Sequence, residues 1–314
     1  MPGIHHVTAI AGDPLKNFDF YTRDLGLRFV KRTVNFDDPS TYHFYYGDET
    51  GSPGTILTFF PWVGSPAGRR GVGETYQTAF RVPLRSLGYW TQRLIEKSIA
   101  HQPLEKRFGE QVLPFSDPDG MALSLVGIAG AETEEGWSNG DVPAEHAIRG
   151  FQGVTLLLDD AAKTAAILTD VLGFHEVARE GSMTRYAASE NAKGSIVDIH
   201  EAKGFLRGHQ GRGSVHHIAF RASDDTQQAK MAEKLIRSHD QRPTDQKDRN
   251  YFRSIYFREP GGVLFEIATD IPGFAVDEPV ETLGGALKLP KFLEPHRKEI
   301  ESVLPALEEP AFKH

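Results

Sequence analysis

The chain opens with GIHHVTAIAGDPLKNFDFYTRDLG at residues 3–26, and an altered copy, GFQGVTLLLDDAAKTAAILTDVLG, stands at residues 150–173. Displacing the chain by 147 positions aligns Leu25-Gly26 with Leu172-Gly173 without a gap. Each copy is typical of a strand followed by a helix, and in the first copy Asp13-Pro14 supplies a helix start. This internal repeat predicts a fold built from copies of one structural unit.

A second pair of copies extends the repeat. Displacements of 140 and 142 positions align Ala79 with Ala219 and Arg107 with Arg249. After the first helix come LRFVKRTVNF, TYHFYYG and GTILTFF, which are rich in β-branched and aromatic residues and are separated by turn-forming segments. The sequence therefore predicts an α+β protein built from four βαβββ modules.

The modules divide the 314 residues in order. Residues 1–133 are predicted to form an N-terminal domain of two modules, and residues 150–271 a C-terminal domain of two more. The polar, turn-rich segment 134–149 is interpreted as a linker. Residues 272–314 lie outside the repeat and form an arm that ends in a predicted amphipathic helix, EPHRKEIESVLPAL.

Two histidine pairs, His5-His6 and His216-His217, stand in predicted strands, and Glu266 interrupts the apolar run GGVLFEIAT. Neighbouring strand residues face opposite sides, so His6 and His217 are expected to face inward and their partners outward. A buried carboxylate without a cation is costly. Two histidines and one carboxylate form the ligand set of a facial metal triad.

The copies act as internal controls for this site. Gln77 replaces His217 in module two, and Gly153 replaces His6 in module three. Modules one, two and three carry other residues at the glutamate position, namely Thr58, Ser124 and Asp198. Only modules one and four supply ligands, so these two modules should lie side by side. Three ligands leave coordination positions open for substrate and O2, and Asp198 is expected to be structural.

Bulk properties narrow the classes of partner. The net charge of −8 and a pI near 5.9 argue against nucleic acid and acidic membranes as partners. No apolar stretch is long enough for a transmembrane helix, and the first residues do not resemble a signal peptide, which indicates the cytoplasm. Without cysteine, thiolate chemistry is excluded. A small molecule is the expected partner, and a homo-oligomer is left open.

Several longer motifs resemble the vicinal oxygen chelate superfamily, and within it the hydroquinone-type ring-cleaving dioxygenases. They are FYTRDLGLRFVKRTVNFDDPSTYHFYYGDETGSPGT, RFGEQ, DRNYFRSIYFRE and PGGVLFEIATDIPGF. The resemblance implies two open β-barrel-like domains with outer helices. It also implies Fe(II), with Mn(II) as the alternative, bound by His6, His217 and Glu266, and a small aromatic substrate cleaved with O2.

The same resemblance implies further site residues: His5, Thr8, His216, Arg249 and Tyr256. Thr8 shares a strand face with His6. Tyr256 has Pro114 as its copy, which favours a role specific to module four. Arg249 has Arg107 as its copy, so anchoring its loop is as well supported as substrate contact. Two interpretations are open for His43, Tyr45 and Trp62, namely lining the pocket from module one or packing in the core, and the core is favoured because aromatic residues in strands are usually core.

Two other classes of function stay open. One is another metalloenzyme on the same scaffold, either a catechol extradiol dioxygenase or a glyoxalase-like isomerase. The three-ligand set and the four-module length argue against the isomerase. The other is a non-catalytic binding protein, which the intact ligand triad disfavours.

Overall fold

The computed structural model describes residues 2–138, 140–189 and 192–307, and all four predicted βαβββ modules are present in it. Module one comprises β1 (Ile4–Ala11), α1 (Pro14–Asp19), β2 (Arg28–Asn35), β3 (Asp38–Gly47) and β4 (Ile56–Pro61). Module two comprises β5 (Glu74–Pro83), α2 (Leu87–Glu96), β6 (Glu105–Arg107), β7 (Glu110–Ser116) and β8 (Ala122–Ile128). Module three comprises β9 (Phe151–Leu158), α3 (Ala162–Asp170), β10 (His175–Glu180), β11 (Met183–Ala187) and β12 (Ile196–Glu201). Module four comprises β13 (Ser214–Ala222), α4 (Asp225–His239), β14 (Lys247–Asp248), β15 (Arg253–Arg258) and β16 (Leu264–Thr269).

The strands form two curled sheets of eight strands each, with the helices outside, as the predicted α+β fold requires. Antiparallel pairing of β1 with β13 joins modules one and four in the first sheet. Pairing of β5 with β9 joins modules two and three in the second. The predicted neighbourhood of modules one and four is confirmed. Each sheet takes one module from either side of segment 134–149, and the domain boundaries proposed there stay a prediction.

The first helix shows how local sequence sets the module. The Asp13 carboxylate accepts hydrogen bonds from the backbone N–H groups of Leu15 (2.9 Å) and Lys16 (3.2 Å), and Pro14 occupies the first turn. The chain continues as a π-helical turn, Phe20–Asp24. It leaves this turn through Gly26 at φ +70°, a conformation that glycine adopts readily. The predicted start of this helical segment is therefore confirmed.

The C-terminal arm folds back onto module one. Its first aromatic residue, Phe274, packs against Tyr45 and Tyr251, with ring centroids 5.1 and 4.9 Å away. Two acidic residues of the arm then hold Lys31, whose side chain is fully buried. The predicted amphipathic helix begins with a 3₁₀ turn, Glu294–His296, and continues as α5 (Arg297–Val303), which packs on β3.

Replacing Lys31 with methionine should destabilise the fold strongly. The Lys31 ammonium donates to Asp277 Oδ1 (2.7 Å) and Glu278 Oε2 (2.8 Å), and Glu278 is almost completely buried. Removing one member of a buried ion pair costs about 3–5 kcal/mol, because the remaining charge loses its compensation. Urea unfolding measures this loss. The partly exposed pair Lys97–Asp24 provides a control, since Lys97→Met should change stability by less than about 1 kcal/mol. Equal losses of unfolding free energy in the two variants would show that the buried Lys31 ion pairs stabilise the fold no more than a partly exposed pair does.

Across the part of the chain that the structure describes, none of the helices combines the length and the apolar character needed to span a membrane.

Candidate active site

His6, His217 and Glu266, the predicted metal ligands, meet inside the first sheet. His6 lies on β1, His217 on the adjacent β13, and Glu266 on β16, which pairs with β13. Glu266 Oε2 lies 2.8 Å from His217 Nε2 and 3.3 Å from His6 Nε2. One ligand atom from each of the three buried residues lies within 4.8 Å of the others, and the described residues contain no second such cluster.

The surroundings of Glu266 fit a cation. Ser254 donates its hydroxyl hydrogen to Oε1, whereas Oε2 is buried without an aligned hydrogen-bond donor. Burial alone would raise the pKa of Glu266, but His6 and His217 outweigh it and hold that pKa well below its usual value. Burial also lowers the pKa of His217, which favours the neutral imidazole that binds metals. An ionised carboxylate oxygen thus faces two imidazole nitrogens, which is a donor set for a divalent cation.

The expected outward orientation of His5 and His216 is wrong, and β-bulges explain why. In the β1–β13 ladder Ile4 pairs with Phe220 and His6 with Ala219, so that His5 is an extra residue. Thr8 then pairs with His217 and Ala9 with Val215, so that His216 is an extra residue on the opposite strand. A bulge interrupts strict alternation and redirects a side chain. Both histidines of each pair therefore lie near the ligand triad.

This arrangement lets the outer histidines orient the ligands. His5 Nδ1 lies 2.9 Å from His6 Nδ1, and His216 Nδ1 lies 2.8 Å from His217 Nδ1. Burial lowers the pKa of His5, and it lowers the pKa of His216 to about 3, so both rings are neutral at physiological pH. Hydrogen bonding at Nδ1 leaves Nε2 of both ligands directed at Glu266, because a ring fixed at one nitrogen presents the other.

Tyr256 and Arg249 lie beside the triad, as the resemblance implies. Tyr256 is the cross-strand partner of Glu266, and its ring meets His217 edge-on at 5.7 Å. Arg249 Nε donates to the Tyr256 hydroxyl oxygen (3.1 Å), and its Nη2 donates to Asp37 Oδ2 (2.7 Å). Burial raises the pKa of Tyr256, which therefore keeps its proton at neutral pH. Arg249 lines the site rather than only anchoring its loop.

Thr8 reaches the site only through a chain of hydrogen bonds. Its fully buried hydroxyl oxygen accepts from Thr58 Oγ1 (2.9 Å), and Thr58 Oγ1 lies 2.7 Å from His43 Nε2. The Tyr45 hydroxyl lies 2.9 Å from His43 Nδ1. Thr58 is the residue at the glutamate position of module one, and a hydroxyl engaged in this chain stands where a carboxylate would have made a four-ligand site.

A cavity of about 350 Å³ opens beside the triad. It is lined mainly by aromatic residues and by charged or polar residues of modules one and four: His6, Asn35, Phe36, Asp37, His43, Tyr45, Phe60, Trp62, His216, His217, Thr244, Lys247, Arg249, Phe252, Tyr256, Leu264 and Glu266. Of the two interpretations of His43, Tyr45 and Trp62, the less favoured one, lining the cavity, is the one observed. Side chains on the concave face of a sheet are buried both when they pack in a core and when they line a cavity, so an aromatic pattern does not distinguish the two. Among these three residues, only the polar imidazole of His43 indicates a cavity from the sequence.

The equivalent place in the second sheet contains an ion pair instead of a cation site. Arg185 Nε and Nη2 donate to the Asp198 carboxylate at 2.8 and 2.9 Å, and Arg185 Nη1 donates to Glu110 at 2.6 Å. Gln77, the copy of His217, accepts from Arg107 (2.7 Å). A guanidinium thus compensates the carboxylate of this sheet, in agreement with the expected structural role of Asp198.

Comparison with known proteins places these features in a family. The model of the Glyoxalase/Bleomycin resistance protein/Dioxygenase superfamily matches residues 3–125 and 150–267. The "Putative ring-cleaving dioxygenase MhqO" of Bacillus subtilis (strain 168) is 48% identical over 306 residues, covering 96% of this chain and 95% of its own. The "Chlorohydroquinone/hydroquinone 1,2-dioxygenase" of Sphingobium indicum is 32% identical over 303 residues, covering 95% of this chain and 94% of its own.

Comparison with solved structures supports the same family and fold. A crystal structure described as a "putative dioxygenase" from Bacillus subtilis subsp. subtilis str. 168 superposes with a TM-score of 0.91 at 47% identity, covering 98% of this chain and 97% of that one. Glyoxalase I from Zea mays, at 12% identity and a TM-score of 0.64 over 86% of this chain and 93% of that one, shares the fold. The chain therefore belongs to the Glyoxalase/Bleomycin resistance protein/Dioxygenase superfamily, in agreement with the resemblance that its repeats and motifs carry.

Proposed function

We propose that this protein is an Fe(II)-dependent dioxygenase that cleaves a hydroquinone-type ring next to a hydroxyl group, with Mn(II) as the alternative ion. The observation that carries the proposal is the triad of His6, His217 and Glu266 beside a cavity lined by aromatic residues. The names of the relatives, ring-cleaving and hydroquinone dioxygenases, support the same chemistry.

The ligand set would leave room for both reactants. His6 Nε2, His217 Nε2 and Glu266 Oε2 would hold the ion, and three protein ligands leave positions open for the substrate oxygen and O2. When bound, the ion supplies a path for electrons from the ring to O2. His5 and His216 fix the ligand rings through Nδ1, and Ser254 fixes the carboxylate through Oε1.

Protons would be handled by residues that line the cavity. His216 Nδ1 is engaged with His217, so its Nε2 is the nitrogen that can accept a hydrogen bond from the phenolic hydroxyl and orient it. The Arg249 guanidinium favours the phenolate because a positive charge stabilises an adjacent anion. The protonated Tyr256 hydroxyl donates a hydrogen bond where negative charge develops on oxygen. Aromatic side chains around these groups limit the access of water.

The overall reaction balances without another reactant. Hydroquinone and O2 combine, the bond between the hydroxylated carbon and its neighbour breaks, and both oxygen atoms enter the ring-opened product. The ring supplies every electron that reduces O2. The protein therefore needs no nicotinamide or flavin partner for this step.

The proposal is tested by O2 uptake after anaerobic reconstitution with Fe(II). Hydroquinones should consume O2 in a one-to-one ratio and lose their aromatic absorbance, whereas the metal-free protein should be inactive. A panel that includes catechols separates hydroquinone cleavage from catechol cleavage. Protein that retains iron and consumes no O2 with any of these substrates would overturn the proposal.

A further inference from the structure

Four rings of module one form a row along the cavity, here called the aromatic row: Tyr45, His43, Phe60 and Trp62. The centroid of His43 lies 4.1 Å from that of Tyr45 and 4.3 Å from that of Phe60. Phe60 stacks on Trp62 at 5.7 Å, and His216 meets Phe60 edge-on. Nothing in the proposed chemistry uses Phe60 or Trp62.

The row leads away from the ligand triad. Thr58, Phe60 and Trp62 alternate along β4 and its continuation, so they share one face. Thr58 lies level with Thr8 and bonds to His43 near the ligands, whereas Trp62 follows four residues later. At the rise of an extended strand the Cα atoms of Thr58 and Trp62 are therefore roughly 13 Å apart. The side chains reach back toward the site, because the rings of Phe60 and Trp62 lie 5.7 and 6.1 Å from that of His216. These two rings would therefore contact a substituent carried next to the ring bound at the triad.

The volume of the cavity agrees with a substrate larger than one ring. A protein cavity of about 150 Å³ suffices to bind benzene, whereas this cavity measures about 350 Å³. The excess is comparable to the space that a second ring needs.

The charged residues at the cavity do not favour a charged substituent. Asp37 accepts from Arg249 at 2.7 Å, and it lies 3.7 Å from Lys247 Nζ. Two cations thus share one carboxylate, so an anionic substituent would have to compete with Asp37 for them, and a cationic substituent would meet a net positive charge. The aromatic row offers an apolar surface that displaces only water.

From these observations we infer that the enzyme selects hydroquinones with an uncharged apolar substituent about the size of a second ring, packed on Phe60 and Trp62. The inference rests on the proposed function and deepens it. Phenylhydroquinone represents this class, and unsubstituted hydroquinone is its reference. Because one methylene in an apolar pocket changes kcat/KM by about 10-fold or more, a whole ring should raise kcat/KM by at least about 10-fold.

Trp62→Ala tests the inference directly. The variant should lower the kcat/KM ratio of phenylhydroquinone to hydroquinone by at least about fivefold, since much of the apolar contact is lost. The matched control is Trp137→Ala, because Trp137 packs under Arg28 rather than in the cavity. That control should keep the wild-type ratio. A wild-type ratio near one, or a ratio insensitive to Trp62→Ala, would overturn the inference.

Anaerobic calorimetry separates this inference from the proposed function. Phenylhydroquinone should bind the wild-type protein about 10-fold more tightly than hydroquinone, and Trp62→Ala should reduce that preference. If no substrate supports O2 uptake, the dioxygenase proposal fails, and the calorimetric preference still decides the inference. If hydroquinone is cleaved but both ligands bind equally, the inference fails and the proposed function stands.

Discussion

Replacing Glu266 with glutamine is expected to abolish both iron retention and hydroquinone-dependent O2 uptake. Glutamine keeps the size of the side chain and its link to Ser254, but it removes the charge that faces His6 and His217. Loss of residues that merely orient metal ligands weakens binding by about 10- to 100-fold, so loss of the anionic ligand itself should exceed about 100-fold. Metal analysis after desalting and an O2 electrode measure the two effects.

The chain offers a matched control at the copied position. Asp198→Asn changes the carboxylate that occupies the glutamate position of module three, where Arg185 pairs with it and also with Glu110. This variant should retain iron and activity, with a loss confined to stability. Iron retained by Glu266→Gln, or lost from a folded Asp198→Asn protein, would show that the site is wrongly assigned.

Tyr256→Phe is expected to separate metal binding from catalysis. The hydroxyl accepts from Arg249 and keeps its proton because burial raises its pKa, so phenylalanine removes one hydrogen-bond donor while the ring still packs on His217. Loss of a positioned acid or oxygen-stabilising donor typically costs about 100-fold or more in rate. We therefore expect kcat to fall about 100-fold with iron content unchanged.

Tyr251→Phe controls for effects on the same hairpin. Its hydroxyl donates to Asp277 of the C-terminal arm, outside the cavity lining. This variant should lose stability more than turnover. Wild-type kcat in Tyr256→Phe would remove the hydroxyl from the mechanism, and loss of iron from that variant would indicate that the tyrosine is needed to shape the ligand triad.

The repeat and the ligand triad were predictable from the sequence because the copies could be compared position by position. A histidine in one copy and glycine or glutamine in another, as at His6 and Gly153, distinguishes a specific role from the requirements of the fold. The same comparison predicted that modules one and four are neighbours, and β1 pairs with β13 as this requires.

Other features were not predictable from alternation. The bulges at His5 and His216 add one residue to a strand, and a pattern of period two contains no sign of such an addition. The same bulges occur at Tyr76 and Gln152 in the second sheet, so they belong to the fold rather than to the ligands. The C-terminal arm has no copy elsewhere in the chain. Its ion pairs with Lys31 could therefore not be predicted by comparing copies.

The proposed ring cleavage is tested most directly by the fate of ¹⁸O2 in a single-turnover reaction of the Fe(II)-loaded protein with hydroquinone. Mass spectrometry should find both labelled oxygen atoms in a ring-opened product, before exchange with water, in a one-to-one ratio to the substrate consumed. Recovery of benzoquinone with the label in peroxide or water would show oxidation without ring cleavage and would rule out the proposed dioxygenase activity.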